Sequence, residues 1–230
     1  MKNTLLFVTV VILSLSACLS SAFNKRVQRT TIQPYSGPNS FQVSLLDKID
    51  VEFDTSYSIT DKREQIKNRV IPLLLYNEWE SDFLHHLYLN EEKTTIANNL
   101  REQLLGTLSN STIHRNIDSL RVYITELELI TVYHNKGYLV TIPLLFGMSN
   151  HYEIGPSRVS LEVAYACFHD GHVTENVKLF KRTISADQSR GLQGGRNYII
   201  QVHLERAYGL VNELLGEASE TIKRELEEEL

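Results

Sequence analysis

The chain has 230 residues, of which 42% are hydrophobic and 22% charged, with a net charge of -5 at pH 7. This composition is ordinary for a soluble protein, and the length suits a single domain. The acidic balance, with a pI near 5.9, argues against a general nucleic-acid binder.

The first eighteen residues have the features of a secretory signal peptide. Lys2 is basic, and Leu5–Leu15 is almost wholly apolar. This run is shorter than the roughly 20 residues of a membrane-spanning helix. Its last four residues, Leu15-Ser16-Ala17-Cys18, resemble the lipobox of bacterial lipoproteins. The resemblance implies cleavage before Cys18 and a lipid on that cysteine, which anchors the protein in the cell envelope.

The residue after the cysteine bears on the choice of membrane. In enterobacterial lipoproteins an Asp at that position gives retention in the inner membrane, and here it is Leu19. The resemblance therefore implies an outer-membrane lipoprotein that faces the periplasm. We predict a signal peptide over residues 1–17, a lipidated polar tether over residues 18–39 and a single domain over residues 40–230.

The first part of the predicted domain contains short strand patterns. Apolar alternation predicts strands at Phe41–Leu45 and Ile49–Phe53. The charged segment Thr60–Asn68 predicts the start of a short helix. Arg69–Tyr76 is apolar, and Pro72 within it favours a sheet edge, a bulge or a break.

An amphipathic helix is predicted at Asn90–Leu108, with Asn90 as its cap. Alternating residues from Leu120 onward then predict strands, and a change of phase predicts a bulge near Thr125 or Glu126. The apolar stripe of the helix comprises Ile96, Leu100, Leu104 and Leu108.

Further strands and turns are expected between residues 134 and 168. His134–Gly137 reads as a turn, because Gly137 suits a left-handed backbone. Tyr138–Phe146 is apolar at both its odd-numbered and its even-numbered positions. This pattern predicts a strand that is buried on both faces. Gly147–Pro156 is predicted to be a loop, and Arg158–Phe168 a strand.

The last third of the chain has the strongest hairpin signal, at Asp170-Gly171, with Val173–Ile184 as the returning strand. From Asn197 a long helix is predicted to run to the end. We expect its charged last turns, after Lys223, to fray or overhang, because glutamates there oppose the helix dipole. Its apolar seam comprises Ile200, Leu204, Ala207, Val211, Leu214, Ala218 and Ile222.

These elements predict an α+β fold, an antiparallel sheet of about six strands with two main helices on one face. Cys167 shares a strand face with Val159, Leu161, Val163 and Tyr165, so it is predicted to be a buried, inert thiol. With Cys18 lipidated, no intramolecular disulfide is possible.

The best candidate for a metal site is the pair His169 and His172. They flank a two-residue turn, so their side chains should lie opposite each other and could share a zinc or copper ion. Two ligands make a weak site, and an exposed polar turn is the favoured interpretation. No cofactor is predicted.

A second cluster, His85 and His86, lies near Glu78 and Asp82, and an acid/base site there is conceivable. Adjacent histidines point in different directions, which makes them poor co-ligands. The favoured interpretation is a surface connection, with Trp79 and Phe83 as packing anchors.

A glycine-rich loop before the last helix could hold an anion on backbone amides and two arginines. It matches neither a P-loop nor a dinucleotide-binding motif, and a flexible loop is the favoured interpretation. The residues concerned are Arg190, Gly194, Gly195 and Arg196.

The order of elements from Tyr88 to Glu225 loosely resembles that of small envelope lipoproteins such as the ABC-transport auxiliary lipoproteins and the lipopolysaccharide-assembly lipoprotein. The resemblance carries no site residues. Our first hypothesis is a non-enzymatic envelope lipoprotein, an accessory or assembly factor with a protein partner. The alternatives are a periplasmic module that binds a small ligand or a lipid, and an unrecognised hydrolase. No hydrolase or metalloprotease motif is present.

Overall fold

The structure is a computed structural model. It describes residues 26, 29, 31–36, 47–54, 62–73, 75–89, 92–111, 117–142, 145–169, 172–173, 178–186 and 196–229. The elements in chain order are β1 (Ile49–Phe53), β2 (Lys62–Pro72), β3 (Tyr76–Leu87), α1 (Lys93–Ser109), β4 (Ser119–Ile142), β5 (Leu145–His169), β6 (His172–Val173), β7 (Lys178–Ala186) and α2 (Arg196–Glu229).

The fold is α+β, as predicted, and the described elements form one seven-stranded sheet and two long helices. The main strand order is β2-β3-β4-β5-β6, and β7 pairs with β5. All these pairs are antiparallel. The pair of β1 with β4 is parallel, which the sequence did not indicate.

Two long strands join the two halves of the sheet. β4 has 24 residues and β5 has 25. At about 3.3 Å per residue, each strand extends for roughly 80 Å. The first part of β4 pairs with β1, and its last part pairs with β3.

The hydrophobic core lies where the helices pack. Helix α2 packs on β5 and β7, while α1 packs on α2 and β1. Both predicted apolar stripes are confirmed, since every residue named for them has 0% of its surface exposed. Burial of a Leu or Ile side chain stabilises the fold by about 1.5–3 kcal/mol.

The sheet continues from this core as a four-stranded ribbon, in which Phe83, Tyr133 and Ile154 are also buried. We define the ribbon as β2, β3, residues 129–142 of β4 and residues 145–159 of β5. In β2 every side chain from Lys62 to Val70 is exposed, so this edge strand faces solvent on both sides.

The predicted helix at Thr60–Asn68 is wrong, because residues 62–68 belong to β2. They pair with β3, with Glu64 opposite Leu84 and Asn68 opposite Ser81. Charged residues are common on edge strands, where they prevent pairing with other chains. Pro72 ends this strand, as expected for a proline at a sheet edge.

Three other predictions near the end of the ribbon are also wrong. The turn at His134–Gly137 and the loop at Gly147–Pro156 are both continuous strand, within β4 and β5. Tyr138–Phe146 is not one strand, since β4 ends at Ile142 and β5 begins at Leu145. Nor is it covered on both faces, because Tyr138 is exposed.

Gly137 explains why a turn signal occurs inside a strand. A Cβ atom at this position would lie 2.4 Å from Cζ2 of Trp79 and 2.6 Å from the backbone oxygen of Ser149. The indole ring therefore takes the space that a side chain would need. Glycine within a strand commonly marks such a close approach.

Several other predictions are confirmed. A bulge occurs between Ile124 and Glu126. Phe168 lies opposite Val173, as the predicted hairpin at Asp170-Gly171 requires. Cys167 is buried. The predicted strand at Phe41–Leu45 and the Asn90 cap lie outside the described residues.

The C-terminal turns of α2 are packed, which corrects the expectation of an overhang. The helix continues to Glu229, and Leu226 is buried. The hydroxyl of Tyr165 donates a hydrogen bond to Glu225. The last turns are thus held to the sheet in spite of the unfavourable dipole.

Part of the segment assigned to the tether also packs on the helices. Ile32 is buried. The amide of Tyr35 donates to Asn99 Oδ1, and Asn99 Nδ2 donates to the carbonyl of Gln33, both at 3.0 Å. Residues 31–36 are therefore in contact with the body of the protein.

Candidate functional site

Four residues that the sequence singles out lie outside the described residues, namely Cys18, Arg190, Gly194 and Gly195. Arg196 is the first residue of α2, and its side chain is not described. The lipid attachment and the anion site therefore stay predictions.

His169 and His172 lie directly opposite each other in β5 and β6, which confirms the expected register. The side chain of His172 lies outside the described part of the chain. Within that part, no group of three or more His, Cys, Asp and Glu side chains could hold a metal ion. The two-histidine metal site stays a prediction.

His85 and His86 point to opposite faces of β3, as expected for adjacent residues in a strand. His85 is buried, and burial, with smaller effects of Arg63 and His86, lowers its pKa to about 4. His86 Nδ1 donates to Glu128 Oε1 at 2.7 Å, and the hydroxyl of Tyr88 donates to the same oxygen at 2.9 Å.

The acidic residues expected beside these histidines have other partners. Asp82 accepts a hydrogen bond from His134 Nδ1 at 2.8 Å, and Glu78 accepts one from the hydroxyl of Tyr76 at 3.2 Å. The suggested combination of His85 or His86 with Glu78 or Asp82 is therefore not formed. Both hydrogen bonds are only partly buried, so each contributes about 1 kcal/mol or less to stability.

A buried polar cluster joins α2 to the sheet. His203 Nε2 lies 3.0 Å from Ser157 Oγ and 3.2 Å from Thr131 Oγ1, and the two hydroxyls are 3.3 Å apart. All three residues have 0% of their surface exposed. Burial lowers the pKa of His203 to about 4, with a smaller effect of Arg206, so the ring is neutral at pH 7.

The distance between Ser157 and His203 would suit a nucleophile and its base. However, Nδ1 of His203 has no hydrogen-bond partner among the described residues, so no carboxylate orients the ring. Neither side chain reaches solvent. The arrangement therefore positions α2 on the sheet. One feature of the sequence indicates this position, since His203 follows Ile200 by three residues on the apolar seam.

Three charged side chains and a histidine form one row across the four strands of the ribbon, which we call the charged row. Arg69 lies opposite Glu80, Glu80 opposite Lys136, and Lys136 opposite His151. We call the end of the ribbon beyond this row the tip. Among the strand residues of the tip, Glu78 is the only charged residue.

The tip exposes apolar and aromatic side chains. Tyr76 and Tyr138 stack with ring centroids 6.0 Å apart. Leu73 and Tyr76 exchange backbone hydrogen bonds of 2.7 and 3.3 Å that close a turn. The exposed fractions are 58% for Leu73, 51% for Met148, 46% for Leu75, 43% for Tyr138 and 36% for Val70.

A polar cleft of about 390 Å³ lies between the N-terminal segment and α2. Arg29 and Gln33 line it on one side, and Gln201, Glu205 and Asn212 on the other. The mixture of amides and opposite charges would suit a small polar ligand better than a lipid.

The chain matches no protein-family model, no curated protein sequence and no solved structure. Among the described residues, no helix is both long and apolar enough to cross a membrane.

Proposed function

We propose that this chain is a non-enzymatic, lipid-anchored protein of a bacterial cell envelope. It would act as an accessory or assembly factor that binds a protein partner through an edge of the ribbon. The observation that supports this most directly is the edge of β5 from residue 145 to residue 156, which pairs with β4 on one side and with no described strand on the other. Exposed strand edges are templates for the addition of a further strand.

The two edges of the ribbon differ in how well they suit such a partner. The edge at β2 carries several Lys and Arg residues and has an irregularity between Gln65 and Lys67. Both features discourage strand pairing. The β5 edge has no Lys, Arg or Pro from Leu145 to Ile154, and its Met148, His151 and Glu153 are exposed. We therefore propose β5 as the docking edge.

The proposed anchor rests on Leu15-Ser16-Ala17-Cys18 and on the short apolar run before it. A lipid on Cys18 would keep the folded body at a membrane surface. The absence of an acidic residue at Leu19 supports the outer membrane, with the body in the periplasm.

Site-specific photo-crosslinking in cells tests the partner. A photoreactive residue at His151 should give one discrete adduct of higher mass. The same residue at Lys67 on β2, and at Glu220 on the exposed side of α2, should give none. Equal crosslinking at all three positions, or none at His151, would contradict docking at β5.

The cleft supports a second candidate function, the binding of a small polar ligand. Glu205 and Arg29 would supply opposite charges to it. A ligand of this kind should raise the melting temperature of the protein, and Glu205→Ala should abolish that rise. A rise that persists in Glu205→Ala would place the ligand elsewhere.

A further inference from the structure

Folding of the ribbon does not require leucines at the exposed positions of the tip. The sequence between Leu73 and Tyr76 is Leu74-Leu75, at positions where tight hairpins favour Asn, Asp or Gly. Leucine supplies no turn preference there, and Leu75 is about half exposed. Departures from local preference without a gain inside the fold are expected at functional sites.

The end of β4 lies beside this turn. The amide of Thr141 donates to the carbonyl of Leu75 at 2.8 Å, so the end of β4 adjoins the turn between β2 and β3. The sequence repeats Ile-Pro-Leu-Leu at Ile71–Leu74 and Ile142–Leu145. Both repeats therefore occur at the same end of the ribbon.

The exposed apolar groups are on both faces of the sheet. Val70 lies opposite Trp79, and Met148 lies opposite Leu139 on that same face. Tyr138 projects from the other face, where it stacks on Tyr76. A protein partner commonly covers one patch on one side. A lipid surface would surround the tip on all sides.

The row of Arg69, Glu80, Lys136 and His151 lies on the Tyr138 face, at one level in all four strands. Apolar side chains occupy the end, two tyrosines lie between that end and the row, and Arg69 and Lys136 are in the row. Apolar groups followed by aromatic rings and basic residues are the order found across a membrane interface.

We infer that the tip inserts shallowly into the surface of a lipid bilayer. Insertion is shallow because the strand edges of β2 and β5 would leave backbone groups unpaired in hydrocarbon. Only the turn and its neighbouring side chains would lie below the headgroups. This inference goes beyond the proposed function, since it rests on the tip residues alone.

Depth-dependent quenching tests the inference on the full processed chain in vesicles of phosphatidylethanolamine and phosphatidylglycerol. An environment-sensitive fluorophore is attached to Leu75→Cys, and to Leu179→Cys as the matched control. Leu179 is 59% exposed and lies on β7, opposite Ala164 and far from the tip. The unsubstituted processed chain, in which the lipid blocks the thiol of Cys18, gives the background label on the buried Cys167.

We expect blue-shifted emission at position 75 and strong quenching by nitroxides placed just below the headgroups, with neither effect at position 179. Aqueous emission at both positions would overturn the inference. A blue shift without lipid quenching would also overturn it, because the tip would then be covered by protein, such as a second copy.

A second variant checks the role of the leucines. With the fluorophore on Met148→Cys, the double change Leu73→Asp and Leu75→Asp should abolish lipid quenching, and Leu179→Asp should not. Persistent quenching in the double variant would contradict insertion through the tip. The mass of the N-terminal peptide tests the lipid anchor, and crosslinking at His151 tests the protein partner. Failure of either proposal can therefore be distinguished from failure of the inference about the tip.

Discussion

Gly137 shows how a single residue constrains the ribbon. In Gly137→Ala the new methyl group would collide with Trp79 and with the backbone oxygen of Ser149. We expect a loss of about 1–3 kcal/mol of stability, since the backbone atom cannot move freely. Urea denaturation measures this loss.

Gly147→Ala is the matched control, because a Cβ atom at Gly147 meets nothing within 4 Å. It should be neutral or slightly stabilising, since it restricts the unfolded chain. Equal destabilisation by both changes would mean that strand distortion, and not contact with Trp79, explains the glycine.

The buried histidines make stability depend on pH. Burial lowers the pKa of His85 and of His203 to about 4, from 6.5. Between these values the unfolded chain binds the proton and the folded chain does not. The stabilising contribution is therefore complete above pH 6.5 and is lost as the pH falls toward 4, by roughly 3 kcal/mol per histidine.

Equilibrium denaturation at several pH values tests this effect. The slope of the unfolding free energy between pH 4.5 and 6 should fall by about one proton in His203→Gln, and by about two when His85→Gln is added. An unchanged slope in His203→Gln would mean that this ring does not titrate in the window.

Part of the buried cluster could be foreseen from the sequence and part could not. The position of His203 on the seam of α2 follows from helical spacing. Its partners Thr131 and Ser157 depend on strands separated from it by 72 and 46 residues. The spacing of residues along the chain does not show how β4 and β5 pair or where they meet α2. The cluster could therefore be recognised only in the folded structure.

At the scale of elements, the end of α2 gives the clearest prediction. Truncation after Lys223 removes the buried Leu226 and the hydrogen bond from Tyr165 to Glu225. We expect a loss of about 2–5 kcal/mol, as for other large deletions from a core. A shorter truncation, after Leu226, should change little, because Glu227 and Glu228 are exposed. Thermal melts of both proteins measure the difference.

The helices were predictable because their apolar spacing reports burial on one face. Both were confirmed, although α1 begins at Lys93, three residues after the predicted start at Asn90. The strands of the ribbon were not. β2 buries none of the side chains from Lys62 to Val70, so it has no hydrophobic pattern to detect. β2 is a strand because its backbone pairs with β3. Backbone pairing leaves no pattern in the sequence of its exposed, mostly charged side chains.

At the scale of the whole molecule, the lipid anchor decides where the protein is found. Cys18→Ser should abolish labelling by radioactive palmitate and leave the signal peptide attached, because the modified residue is the cysteine itself. The labelling and the mass of the N-terminal peptide measure this. Cys167→Ser is the control, since Cys167 is a buried core residue. Labelling that is lost only in Cys167→Ser would exclude the proposed lipobox.

The molecule has two parts that can be observed separately. Trp79 is the only tryptophan in the chain, and it lies in the ribbon against Gly137, whereas both helices pack around the core. Intrinsic fluorescence therefore reports on the ribbon, and helical circular dichroism reports on the core. If the two signals change at different urea concentrations, the unfolding of this single sheet occurs in two steps. The protein thus has a natural optical probe beside the surface proposed to meet its partners.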